Sequence, residues 1–131
     1  MGYLLGDPDL IHELETKVRD SYNVNTVSQA IALAALGDQE HARTAWAAVR
    51  SERERVTGAL RSDGFQVPES QANFVLPRYA DRANMAPTFN RLRDANILVR
   101  YFKTPRLQDR LRITIGTPAQ NDTLLDALLT K

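Results

Sequence analysis

The sequence has no cysteine, which excludes a disulfide framework, a thiolate metal site and a cysteine nucleophile. Histidine is almost as scarce. His12 and His41 fall on separate expected helices without ligand spacing, so both read as surface residues. The segment "HELE" resembles half of a zinc-protease motif, but Thr16 stands four residues after His12, where the second histidine belongs. No Ser/His/Asp set follows from spacing, and the carboxylates of "DPD" and "SERER" read as helix caps and helix-surface pairs. No run approaches the roughly 18 apolar residues of a membrane span, and the first residues lack the basic and apolar regions of a secretory signal. Met1-Gly2 suggests myristoylation only until position six, which is Gly6 where Ser or Thr is required. The expectation is a soluble, cytoplasmic protein with no membrane partner.

The 131 residues suffice for one domain with a core that needs no disulfide or metal. The chain is 43% hydrophobic and 25% charged with a formal net charge of +1, so neither disorder nor general polyanion binding follows. Asp7-Pro8 begins an amphipathic helix over residues 8 to 20 with Ile11, Leu14 and Val18 on one side. "SYNVN" breaks it, and Asn25 caps a second helix with Val27, Ala30, Ile31, Ala34 and Ala35 on its apolar face, stopped at Gly37. Asp38 opens a longer helix with Trp46, Val49, Val56 and Leu60 along one side, ending at Gly64. Its "RSERERV" segment reads as the solvated side.

Residues 72 to 76 read as a strand, 81 to 95 as a helix that Pro87 starts or kinks, and 97 to 102 and 110 to 115 as two more strands. Met85, Phe89 and Leu92 are the expected core contacts of that helix. Thr117-Pro118 with Gln120 gives a capping-box start to a last helix in which Leu124, Leu125 and Leu128 face inward. Three helices followed by strand, helix, strand, strand, helix imply an α+β domain, with a small mixed or antiparallel sheet of about three strands packed against helices.

Within "LRITIG", Leu111, Ile113 and Ile115 alternate with Arg112 and Thr114, the period of a half-buried strand. From that pattern, Arg112 either pairs with a carboxylate, reaches water along its stem, or binds an anion. Arg100, at a strand end in "ILVR", is open to the same readings. The cluster Arg100, Lys103, Arg106, Arg110 and Arg112 is opposed only by Asp109 and has Tyr101 and Phe102 as stacking partners. The rest of the chain cancels this charge and no nucleic-acid motif appears, so no nucleic-acid partner is expected.

Several segments in order, "GYLLGDPDLIHEL", "SYNVNTVSQAIALAAL", "ANFVL", "LRDANILVRYF" and "LRITIGTPAQND", resemble the C-terminal part of histidinol-phosphate aminotransferase, a fold-type-I enzyme dependent on pyridoxal phosphate. The "LRI" type of motif is shared by fold-type-I aminotransferases generally, and aromatic amino-acid aminotransferases are the nearest rival parent. "YNVN", "ILVR" and "LRITIGT" together point to the histidinol-phosphate subgroup. The resemblance implies an aminotransferase small-domain fold, with residues 1–37 as helices linking to the large domain and 38–131 as the small-domain core. It implies that Arg112 receives the substrate's anionic group, here a phosphate, and that Arg100 helps to hold it. Guanidinium is permanently charged and presents paired donors to a tetrahedral anion.

In the family, a lysine in a serine-lysine context, just before the segment matched by "GYLLGD", forms the Schiff base with the cofactor. Lys17, Lys103 and Lys131 are the only lysines here, and none stands in that context. The resemblance therefore implies a domain cut from a longer enzyme. Its chain holds no cofactor itself, is catalytically incompetent alone, and retains an arginine pair with weak affinity for a phosphate-bearing small molecule. Tyr22 and Asn23 lie near the active-site side in the family, but a hinge between helices explains them equally well. Loss of the large domain would bare apolar surface on helix 8 to 20, so homo-oligomerisation is expected.

Overall fold

The computed structural model describes residues 2, 4–18, 24–79, 81 and 83–129. It divides into two compact units, Met1–Arg43 and Thr44–Lys131, with the division inside the longest helix. In the first unit, α1 (Pro8–Lys17) and α2 (Thr26–Gly37) begin where local chemistry directs. The Asp7 side chain accepts from the Asp9 backbone N–H at 2.9 Å, and Asn25 Oδ1 accepts from Ser28 N–H at 2.8 Å. The break expected at "SYNVN" falls largely on residues 19–23, which lie outside the described residues, and so do Tyr22 and Asn23. No described residue of α1 or α2 is buried.

Helix α3 (Gln39–Ser62) starts at Asp38, whose Oδ1 accepts from His41 N–H at 3.1 Å. In the second unit its residues Val56 and Leu60 are fully buried, whereas Trp46, expected on the same side, is 56% exposed. The "RSERERV" segment is not uniformly solvated. Arg53 is buried and donates to Ala72 O at 2.8 Å and Gln71 Oε1 at 3.4 Å. A guanidinium is tolerated there because fixed acceptors replace part of its hydration. Gly64, at φ 90°, adopts the left-handed turn that ends the helix.

The three central strands are β2 (Phe74–Val75), β5 (Leu111–Thr114) and β4 (Arg100–Tyr101), with β5 in the middle and both pairings antiparallel. A second, two-stranded ladder was not expected from the sequence. It pairs β1 (Phe65–Gln66) with β3 (Arg78–Tyr79) and joins the first through an antiparallel bridge between Arg78 and Arg110. Helix α4 (Ala86–Asp94) starts later than residue 81, with Pro87 in its first turn and Asn84 Oδ1 accepting from Ala86 N–H at 2.8 Å.

Helix α5 (Pro118–Leu129) has the expected capping box: Thr117 N–H donates to Gln120 Oε1 at 2.9 Å, and Gln120 N–H to Thr117 Oγ1 at 3.4 Å. A side chain on Gly116 would place its Cβ 2.7 Å from that same Gln120 oxygen, so a larger residue there would displace the capping side chain. Val75, Leu111 and Ile113 from one face of the sheet meet Leu60, Met85, Leu92, Leu124 and Leu128 in a single core.

Candidate functional site

Strand β5 buries Leu111 and Ile113 and exposes Arg112 and Thr114, the alternation expected of its pleat. The register then places Arg100 of β4 directly opposite Arg112. The two residues read separately in the sequence are therefore a cross-strand pair. Like charges in that position repel, by up to about 1 kcal/mol relative to small neutral residues. Among the described residues, no carboxylate lies within ion-pair distance of either guanidinium. Aromatic faces hold them instead. Arg112 lies 5.5 Å from the ring centre of Phe74 and 5.9 Å from that of Phe102, and Arg100 lies 5.5 Å from Phe102. Those contacts orient the stems without consuming N–H donors in the plane of each guanidinium.

Such an arrangement presents two charges and uncommitted donors on an open face, and no described cavity is lined by either arginine. Phe74 was legible only as part of a strand. Its place beside Arg112 depends on the β2–β5 register, which no local signal supplies.

The end of β5 is fixed by a polar cluster around the buried Asn121. Asn121, 1% exposed, accepts from Gly116 N–H at 2.9 Å and donates to Glu52 Oε2 at 2.7 Å and Gly116 O at 3.1 Å. Arg55 binds Glu52 through two nitrogens at 2.8 and 3.0 Å and reaches Asp122 at 2.7 Å. These bonds, Arg55's first and Asn121's second, hold the Glu52 carboxyl below its ordinary value of 4.5, and the two carboxylates raise the Arg55 guanidinium further. Helix α3 is thereby tied to the corner through which β5 enters α5.

A family model for aminotransferase class I and II matches residues 1–128. Histidinol-phosphate aminotransferase 1 of Nostoc sp. is 43% identical over 128 residues, which cover 98% of this chain and 36% of that protein. The histidinol-phosphate aminotransferase of Gluconacetobacter diazotrophicus is 41% identical over 133 residues, again 98% of this chain and 36% of the relative. Among solved structures, a putative aminotransferase from Burkholderia pseudomallei superimposes with a TM-score of 0.80 at 35% identity, covering 92% of this chain and 36% of that one. The histidinol-phosphate aminotransferase of Sinorhizobium meliloti, solved in complex with pyridoxal-5'-phosphate, gives 0.76 at 26% identity over 89% of this chain and 32% of its own.

The chain thus spans about a third of the length of the relatives it matches. Family enzymes use pyridoxal phosphate, and the residues described here do not fit the role of its covalent anchor. Lys17 is exposed and paired with Glu13, Lys103 is exposed, and neither lines a described cavity. The matched span, the small antiparallel sheet and its covering helices agree: the chain belongs to the aminotransferase class I and II family.

Proposed function

We propose that the chain is the small-domain part of a histidinol-phosphate aminotransferase-like enzyme, and that Arg100 and Arg112 together hold the phosphate of its substrate. The observation that carries this reading is the register that sets the two arginines opposite each other, with no carboxylate between them among the described residues. An unneutralised like-charge pair costs stability, and a bound dianion removes that cost while accepting donors from both guanidinium groups. In the whole enzyme, an amino group passes between histidinol phosphate and 2-oxoglutarate. Pyridoxal phosphate, when bound, supplies the electron sink. The 131 residues alone grip the anion without transferring the amino group, since none of Lys17, Lys103 and Lys131 follows a serine as the family's cofactor lysine does. Grip on the open face is weak, because water screens the charges there.

Amide NMR of the chain titrated with histidinol phosphate tests the site. Shifts should centre on Arg100, Tyr101, Leu111 and Arg112 and vanish in an R100Q/R112Q variant. A response that ignores both substitutions sinks the assignment. Incubation with pyridoxal phosphate and both substrates should form no glutamate, and turnover above a blank overturns the incompetence.

A second reading, association with another copy of the chain, rests on α2, where Val27, Ile31, Leu33 and Leu36 are 68, 64, 73 and 68% exposed. Sedimentation should show a dimer that an I31E/L33E variant abolishes. A monomer at high concentration overturns it.

A further inference from the structure

Two residues along the strand from Arg112, and across its other side from Arg100, stands a second cross-strand arginine pair, Arg78 opposite Arg110. Arg110 and Arg112 are two residues apart on one strand and so project from the same face, roughly 7 Å from each other. Arg78 and Arg110 line a cavity of about 460 Å³ together with Arg61, Gln66, Phe65, Val67 and Pro68. Three arginines therefore line one cavity, and no carboxylate is among its lining residues.

Each arginine is pinned by one edge. Arg61 Nη2 donates to Val67 O at 2.7 Å, and Arg78 Nε donates to Gln66 Oε1 at 2.8 Å. Asp109 ties Arg78 and Arg110 together, at 3.4 Å from each. It offsets one of the three charges, which leaves a formal excess of two. Pinning lowers the conformational cost of binding, because the donors are held before a ligand arrives. A guanidinium carries five N–H donors, and the bonds named use only one or two of each.

We propose that this cavity is a second anion site, distinct from the Arg100 and Arg112 pair, that takes a small phosphate dianion, free or as a monoester. Two excess positive charges match the charge of such a ligand, and three planar forks match its tetrahedral oxygens. The floor of Phe65 and Val67, both buried, leaves an apolar wall beside the charges against which the organic part of a monoester would rest.

The test is an amide NMR titration of the chain with inorganic phosphate and, separately, methyl phosphate, each against sodium chloride at matched ionic strength. Gln66, Val67 and Arg78 amides should shift with saturation. An R61Q/R78Q variant should bind at least tenfold more weakly, while R100Q/R112Q should retain this response even if the substrate-phosphate reading fails. R61Q alone leaves the Asp109 knot untouched, so a several-fold loss in that variant supports the site without a question of folding. Tighter binding of methyl phosphate identifies an ester as the ligand, and tighter binding of inorganic phosphate the free ion. Shifts that chloride reproduces, or that survive R61Q/R78Q unchanged, overturn the proposal.

Discussion

Two pairs of facing arginines are built on Arg110 and Arg112, two residues apart at the start of β5, and they differ in what neutralises them. Arg78 and Arg110 share Asp109, whereas among the described residues Arg100 and Arg112 meet the rings of Phe74 and Phe102 and no carboxylate. Arg55, clamped by Glu52 and Asp122, is the limiting case of an arginine whose charge is fully answered within the fold. The series separates guanidinium groups that hold the chain together from those left available to a ligand. Full neutralisation makes an arginine structural, partial neutralisation makes it a pinned donor, and none leaves it dependent on something outside the fold.

The largest expected effect erases the comparison. Leu111 lies between Arg110 and Arg112 in sequence, points to the opposite face and is fully buried. L111A should destabilise the chain by about 2–5 kcal/mol in urea unfolding, because the surrounding core only partly closes the cavity. Both arginine pairs should then lose their anion response together, since each depends on the same strand.

Next in size, D109N removes the counterion from one pair and makes it resemble the other. Asp109 Oδ1 is buried without a hydrogen-bond partner among the described residues, so its side chain is held by charge more than by directed bonds. The Arg78 side chain is 40% exposed, which limits the loss to about 1 kcal/mol, and the loss should shrink as salt is raised. Phosphate should bind more tightly in this variant, because the guanidinium groups no longer share their charge with a carboxylate. Unchanged affinity would break the claim that Asp109 competes with a ligand.

Smaller still is the effect of R112Q on stability. It relieves repulsion from Arg100 and forfeits ring contacts of similar size, so the free energy of urea unfolding should change by no more than about 0.5 kcal/mol in either direction. The response to histidinol phosphate should nevertheless fall about tenfold or more. A stability loss as large as that of D109N would mean that Arg112 is held by the fold, and the contrast between the pairs would fail.

What the sequence disclosed follows the range of the interactions involved. Helix starts at Asp7, Asn25, Asp38 and Thr117 were legible because a cap and the N–H it accepts lie within three residues. The buried and exposed sides of β5 were legible because alternation is a property of the strand itself. Ladder β1–β3 was not, since two-residue strands have no period and Phe65 meets Tyr79 only through register. Arg53 looked solvated among its charged neighbours, and only the distant Ala72 carbonyl explains its burial. The same limit hid the facing of Arg100 and Arg112. Each was recognisable as a strand arginine, but their juxtaposition depends on where the chain turns between residues 102 and 110.

The smallest effect concerns the fully answered arginine and is lost in acid. Glu52 has a folded-state pKa below its ordinary 4.5, chiefly because Arg55 and then Asn121 hydrogen-bond its ionised form. A group depressed in this way adds stability above its unfolded-state pKa, and that contribution is lost as pH falls through the lower folded value. Urea midpoints of the parent chain and E52Q should therefore differ at neutral pH and converge as pH drops below about 4.5, toward the folded-state value. D109N provides the contrast: Asp109 faces two arginines yet accepts no directed bond at Oδ1, so the effect of its substitution should shrink as salt is raised. A gap between parent and E52Q that stays constant across the acid range would mean that Glu52 acts through packing, and that charge neutralisation does not distinguish Arg55 from the sheet arginines.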